Sequence, residues 1–347
     1  MKILIIQQKM IGDVLTSSLL CENLKLWNPK VIIHFVANDF TLPVIQGNPY
    51  IDKLIVFEST FQSDFRSFFR FLRSFKKTDY DYVIDAYGKI ESTLITLFSK
   101  SKVKIGYAKS YNQFFYSNTV KRFKKSKKGL PLAIENRLLL LNPIIENSFQ
   151  NVFQPKIYLA PGEIEEAEKE LAPLLSQNKK LVMVAITGSQ ESKTYPMVYM
   201  AALLDAIAEQ LDALMVLNYL PHQQQQVTEC LSQVKQVTRQ SIYEEKCPTS
   251  LRNYMQWVYH CDFVIGNEGG TINMAKALSK PTFAIFSPII NVAAWHLDKE
   301  TKHQAVHLKS FCPDCFKDSQ ENNIASLYKK FHPDFFIEKF ITFLSKR

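Results

Sequence analysis

Glycine is scarce, ten residues in 347, and it never assembles into a phosphate-binding signature. Gly12 is the only glycine close behind the first apolar run, so the GxGxxG dinucleotide fingerprint is absent. No GxxxxGK[ST] occurs, which excludes a P-loop, and neither GxSxG nor HExxH is present. No stretch approaches the ~20 apolar residues of a membrane span. The opening MKILIIQQKM has an apolar run of about four residues, where a secretory signal needs roughly 7–15. It reads as a buried first strand, and the expectation is a cytoplasmic protein.

Cysteine is also sparse. Of the six, only Cys312 and Cys315 stand close together, in FCPDCF. A structural zinc needs four ligands, and no second CxxC or HxxxH lies nearby. A redox CxxC usually opens a helix in a thioredoxin-like unit, unlike this late position. Two thiols in a loop are expected, with no metal and no cofactor.

Charge is abundant but uneven. Residues 1–155 hold 22 Lys/Arg against 12 Asp/Glu, or +10, and residues 156–347 hold 20 against 21, or −1. A positive field confined to the first half favours an anionic partner. Within it, FQSDFRSFFRFLRSFKK (61–77) places Phe61, Phe65, Phe68, Phe69, Leu72 and Phe75 on one helical face. Arg66, Arg70, Arg73 and Lys77 fall on another. This is either a crossover helix with a packed apolar face and a solvated basic one, or a surface-seeking amphipathic helix. The loop KRFKKSKKG (121–129) adds six basic residues, readable as a solvated run. Together they suit an anionic membrane or phosphates; no recognition motif for nucleic acid accompanies them.

Short apolar runs alternate with amphipathic stretches throughout. In the first half the strand candidates are 2–6, 31–37, 53–57, 82–86 and 103–107; in the second they are 181–186, 213–218, 263–266 and 282–286. Apolar strands separated by helices imply parallel sheets covered on both faces. The expected class is α/β, with two Rossmann-like doubly wound domains facing a central cleft. Residues 1–155 would form the first, 164–328 the second, and 329–347 a terminal amphipathic helix. The segment 149–163, with Pro155, Pro161 and Gly162, is the expected linker.

Three stretches carry chemistry. In IGDVL (11–15), Asp13 sits at a helix start just beyond a strand. Simple capping would account for it; a general base is the alternative. In AITGSQESKTYP (185–196), Thr187, Gly188 and Ser189 offer hydroxyl and backbone donors and Lys193 a point charge, an inventory suited to a diphosphate. A solvated loop is the other reading. In FVIGNEGGTINMAKALSKP (263–281), a strand turns through Glu268, Gly269, Gly270 and Thr271 directly into a helix whose first N–H groups can meet an anion. The pair Asp79-x-Asp81 has the DxD form of some metal–nucleotide sites, but it precedes a strand and reads as a solvated strand start.

With these stretches in this order, the sequence resembles glycosyltransferase family 9, the lipopolysaccharide heptosyltransferases, over nearly the whole chain. Gly12-Asp13 matches the family's GD dipeptide, and Lys193-Thr194-Tyr195-Pro196 its K-x-W-P-like element. Gly266 through Ala277, leading to Pro281, follows the spacing of its donor signature G-x-D-[ST]-G-x-x-H-x-A-x-A-x-x-x-P. Glu268 stands for the usual Asp, Gly269 for Ser or Thr, and Asn273 for His. The second-domain turn LNYLPHQQQQ (217–226) lacks the family's carboxylate.

The resemblance implies a GT-B fold: an acceptor domain first, a nucleotide-sugar domain second, and a final helix packing back on the first. It implies inverting, metal-independent transfer of a heptose from ADP-heptose to a phosphorylated inner-core acceptor at the anionic inner leaflet. Asp13 would be the base, with Lys9 and Gly12 beside it on the acceptor side. Lys193 and the Gly269–Thr271 helix start would stabilise the departing diphosphate, and Thr187, Gly188, Ser189, Glu268 and Asn273 would contact the donor. Two other readings stay open: a non-catalytic nucleotide-sugar or lipid-surface binder, and a nucleotide-sugar epimerase.

Overall fold

The structure is a computed structural model and describes residues 1–109, 113–145, 152–297, 301–317 and 323–347. Residues 149–151 of the expected linker lie outside the described residues. The chain divides into two compact units. Unit 1 is Met1–Tyr158 with Ala293–Trp295, and unit 2 is Leu159–Val292 with His296–Arg347.

Unit 1 runs β1 (Lys2–Ile6), α1 (Ile11–Trp27), β2 (Ile32–Asn38), β3 (Lys53–Phe57), α2 (Phe65–Ser74), β4 (Asp79–Asp85), α3 (Ile90–Phe98), β5 (Lys100–Tyr107), β6 (Asn118–Val120) and α4 (Leu132–Leu138). The strands are parallel in the order β3-β2-β1-β4-β5-β6. Central β1 is apolar along its length because both faces are covered; Ile3 to Ile6 are fully buried. Beneath α2 and α3, Leu72, Phe75 and Ile95 pack with Leu4, Ile6, Val36 and Val83.

Three expectations change here. Phe61, Leu72 and Phe75 are buried, but Phe65 and Phe69 point outward at 80% and 50% exposure, so the aromatic stripe of 61–77 is split between core and surface. A 100° step per residue spreads six large side chains over more arc than one sheet contact can cover. The loop 121–129 is not simply a solvated run: it winds around buried Glu135, which accepts from Ser126 Oγ and from the N–H groups of Lys127, Lys128 and Leu130. Burial opposes the Glu135 charge, yet these donors hold its pKa below the usual carboxylate value. Asp79 and Asp81 lie within β4 rather than before it; Asp79 pairs with Lys100, and Asp81 accepts from the Lys2 N–H.

Unit 2 runs α5 (Pro161–Leu175), β7 (Lys180–Ala185), α6 (Met197–Gln210), β8 (Ala213–Asn218), α7 (Gln224–Leu231), α8 (Gln236–Gln240), β9 (Ile242–Tyr243), α9 (Leu251–His260), β10 (Phe263–Asn267), α10 (Gly270–Ala277), β11 (Thr282–Ile285), β12 (His303–Val306), α11 (Ile324–Lys330) and α12 (Ile337–Leu344). Its parallel order, β12-β11-β10-β7-β8-β9, repeats the winding of unit 1. Both units are doubly wound α/β, as expected.

The terminal segment, expected as a helix packing back on the first domain, belongs to unit 2, and Phe336, Phe340, Phe343 and Leu344 are buried in that unit's core with Phe263 and Phe283. The sheet there presents two large rings, and α12 supplies the apolar face that covers them. Cys312 and Cys315 are joined as a disulfide on a 3-10 turn, not two free thiols. No helix among the described residues is long and apolar enough to cross a membrane.

Candidate functional site

In a doubly wound sheet the strand order reverses at one place, where neighbouring loops diverge and leave room for a ligand beyond the strand carboxyl ends. In unit 1 that place lies between β1 and β4, and in unit 2 between β7 and β10. Candidate residues gather at both.

At the unit 1 switch point, β1 ends into the turn Gln7-Gln8-Lys9-Met10. Met10 takes φ +66°, in the left-handed region that a side chain adopts at a cost, and acts as N-cap of α1 without any side-chain cap bond. Asp13, in the first turn, is not spent on the helix backbone. Its Oδ1 accepts from Arg137 Nη2 at 2.8 Å, so the capping reading does not describe what this carboxylate does. Arg137 comes from α4 and is 5% exposed. Its Nη1 donates to Gln7 Oε1 at 2.9 Å and to the Ala86 carbonyl, just past β4, at 2.6 Å. The guanidinium thus ties the ends of β1 and β4 to the carboxylate. Asp13 is one-third exposed, and no described residue hydrogen-bonds its Oδ2. A carboxylate oriented through one oxygen and open at the other can accept a proton from an incoming hydroxyl.

Lys9 lies half-buried in the same turn, with its carbonyl accepting from Gln7 Nε2. Gly12 is buried in α1, its carbonyl taken by Thr16 Oγ1. Lys9 thus lies in the turn that leads into α1, and Gly12 in the first turn of that helix beside Asp13.

At the unit 2 switch point, Asn267 closes the gap between β7 and β10. Its Nδ2 donates to the carbonyls of Ala185 (3.1 Å) and Ile186 (2.9 Å), and its Oδ1 accepts from the Tyr195 N–H (2.7 Å). One buried amide therefore joins the end of β7, the end of β10 and the turn carrying Lys193.

The 187–194 turn satisfies much of its own polarity. Thr187 Oγ1 donates to Gln223 Oε1, Gln223 Nε2 donates to the Gly188 carbonyl, and the Gly188 N–H donates to Thr194 Oγ1. The expectation of free donors at Thr187 and Gly188 is therefore corrected: buried polar groups need partners, and these have found them locally. Gly188 is needed for space instead, since a Cβ there would lie 2.3 Å from the Lys193 carbonyl oxygen. Ser189 is exposed beside them.

Lys193 ends the 3-10 turn Glu191–Lys193, partly exposed and without a direct ion pair among the described residues. Gly269, at φ +152°, is N-cap of α10, and a Cβ built on it would meet nothing within 4 Å. With no side chain capping the helix, the N–H groups of Gly270, Thr271 and Ile272 are left for water or an anion. Glu268 is 9% exposed; burial raises its pKa, and the fields of Lys193 and Lys276 lower it only in part. Asn273 lies partly buried on the first turns of α10. The structure thus brings Lys193, Glu268 and the α10 start together, and adds Lys276.

Arg137, Gln223 and Lys276 were missed from sequence. Lys276 stood inside the donor signature and could have been read from its helical spacing. Gln223 lay in the turn noted only for its lack of a carboxylate. Arg137 offered one signal, a lone cation in the apolar run LAIENRLLLL.

Residues 68–322 match the sequence profile of glycosyltransferase family 9 (heptosyltransferase). A lipopolysaccharide heptosyltransferase 1 of Campylobacter coli is 25% identical over 82% of this chain and 84% of its own. The crystal structure of a family 9 glycosyl transferase from Veillonella parvula superposes with TM-score 0.83 at 17% identity, covering 100% of this chain and 98% of that one. The E. coli heptosyltransferase WaaC with ADP-2-deoxy-2-fluoro heptose superposes with TM-score 0.65 at 16% identity, covering 88% and 93%. The fold is that of the GT-B heptosyltransferases.

Proposed function

Because the chain belongs to glycosyltransferase family 9 and is a heptosyltransferase-like enzyme, we propose that it transfers a heptose from ADP-heptose to a phosphorylated inner-core acceptor of lipopolysaccharide, with inversion and without a metal. The donor class draws support from the WaaC complex with an ADP-heptose analogue, and the acceptor class from the Campylobacter relative. The observation that carries the reading is Asp13 held through one oxygen by Arg137 and open at the other.

In this mechanism the acceptor hydroxyl attacks the anomeric carbon as its proton passes to Asp13 Oδ2. The bond to the β-phosphate oxygen breaks on the opposite side, inverting the configuration, and ADP departs with the bonding electrons. Lys193 and the N–H groups opening α10 meet the charge that develops on the diphosphate, the role a cation would otherwise fill. Asp13, Lys193, Gly269, Gly270 and Thr271 carry the chemistry. Glu268 and Asn273 line the donor side, and Thr187 and Gly188 shape it. The +10 charge of residues 1–155 suits a phosphorylated lipid acceptor on an anionic inner leaflet.

The test is Asp13→Asn assayed with ADP-heptose and a lipid A-type inner-core acceptor. Transfer should fall at least ~100-fold while ADP binding holds and the protein stays folded, with some loss of melting temperature because the buried Arg137 loses its counter-charge. Undiminished transfer would remove Asp13 as base. Release of an altered nucleotide sugar without any acceptor would indicate epimerisation instead.

A further inference from the structure

Helix α2 has two surfaces, one packed against the sheet and the other left largely exposed. Leu72 and, just beyond the helix, Phe75 are buried against the sheet, with Phe68 and Phe71 partly covered beside them. On the outer side Phe65 and Phe69 lie one turn apart, 80% and 50% exposed. Alongside them Arg66, Arg70 and Arg73 form a second exposed stripe, continued by exposed Lys76 and Lys77. From residue 65 to 77 the chain has five cations and no acid. Arg73 lies 5.6 Å from the centre of the Phe69 ring, and Phe69 stands edge-on to Phe98 of α3. Cation and ring are therefore presented together.

Exposed rings at i and i+4 are not required by the fold, since the sheet is already covered by the inner residues. The one carboxylate beside this run, Asp64, caps the helix by accepting from the Arg66 and Ser67 N–H groups, which leaves the five cations in large excess over acids on this face. One environment accepts both at once: the interface of an anionic bilayer, where phosphates meet guanidinium groups and the acyl boundary takes the rings. Topology adds an argument. In a parallel sheet each helix that follows a strand starts at the carboxyl edge, so Phe65 at the start of α2 and Ile90, 76% exposed at the start of α3, share the edge that carries Asp13.

We propose that the outer face of α2 docks unit 1 on an anionic lipid bilayer, with Phe65 and Phe69 entering the interface and Arg66, Arg70 and Arg73 contacting lipid phosphates. This extends the membrane-facing part of the reading above, but it stands on surface geometry and is tested without donor or acceptor.

The experiment is co-sedimentation of the full chain with vesicles of phosphatidylcholine alone or mixed with phosphatidylglycerol. Wild-type protein should bind the mixed vesicles and leave the neutral ones. Phe65→Ser with Phe69→Ser, and separately Arg66→Gln with Arg70→Gln and Arg73→Gln, should each weaken binding about tenfold or more. Removing the same charge from the basic loop, as Lys121→Gln with Lys124→Gln and Lys125→Gln, should cost clearly less. Phe65→Trp should show a blue-shifted emission with mixed vesicles only. The proposal is overturned if the α2 and loop variants lose binding equally, if the Phe variant binds like wild type, or if Phe65→Trp emission does not move. It is also overturned if the chain ignores vesicles yet is held by an acidic polymer such as heparin. In each case transfer to a water-soluble acceptor analogue reports separately on the catalytic reading: α2 variants should retain it, whereas Asp13→Asn should lose it.

Discussion

Arg137 holds Asp13 from 124 residues away: Nη2 meets Oδ1 at 2.8 Å while Nη1 is anchored on Gln7 and on the Ala86 carbonyl. Replacing it removes an orienting partner, leaves the buried Ala86 carbonyl without this donor and leaves Gln7 Oε1 with only the longer bond from Ser17 Oγ at 3.4 Å. Arg137→Met should destabilise the protein by ~1–3 kcal/mol, the cost of stranded buried polar groups. With the carboxylate freed to rotate, kcat should fall by about tenfold or more while the donor KM changes little. Urea denaturation and steady-state kinetics on the same preparation check both halves. An unchanged kcat would reduce Arg137 to a structural strut.

Lys193 is assigned to the leaving diphosphate, so its charge should matter more in the transition state than in the ground state. Lys193→Met is expected to lower kcat by about 100-fold, the scale of losing one preorganised stabiliser of developing charge. ADP affinity should weaken less. Isothermal titration with ADP, set beside turnover, separates the two effects.

Asn267 satisfies three backbone groups with one side chain. Asn267→Ala should cost about 2 kcal/mol or more, because Ala185, Ile186 and Tyr195 lose partners in a dry setting. Since Tyr195 follows the Lys193 turn, the loss should also weaken ADP binding. Denaturation midpoints and ADP titration report the two consequences, and a variant as stable as the parent would contradict the assignment.

Glu163 and Arg252 form a two-pronged pair within unit 2, with both hydrogen bonds at 2.6 Å. Those bonds, against the opposing effect of burial, bring the Glu163 pKa from 4.5 to about 2. The folded value lies below the unfolded one, so the pair's stabilisation is complete above about pH 5 and is lost as pH falls from 4.5 toward 2. The expected contribution is on the order of 2 kcal/mol, discounted for partial exposure. Glu163→Gln should lower stability near neutrality and flatten this acid limb, as measured by denaturation midpoints from pH 6 to 2.5.

Much of the fold was readable because its signals are local. KILII, KLIVF and ALMVLN become β1, β3 and β8 at their expected bounds, since an apolar run covered on both faces has few other uses. Short β6, β9 and β12 were missed; with two to four residues each, they are held by neighbouring strands more than by their own composition. At the candidate site, Lys193, Glu268 and the α10 start were visible as a turn feeding a helix. The commitments of Thr187 and Gly188 were not, because their partner Gln223 lies 35 residues or more downstream.

Sequence by itself determined two doubly wound units, a helix start ready for an anion, and a positive charge confined to the first half. These follow from periodicity, spacing and counting, which need no knowledge of distant neighbours. Only the tertiary structure decided that Asp13 leans on Arg137 rather than capping its helix, that Asn267 fastens one signature stretch to another, and that the last helix belongs to unit 2. Each of those outcomes is a choice among partners far apart in the chain, settled by which buried polar or apolar group was left to be satisfied once the sheets had formed.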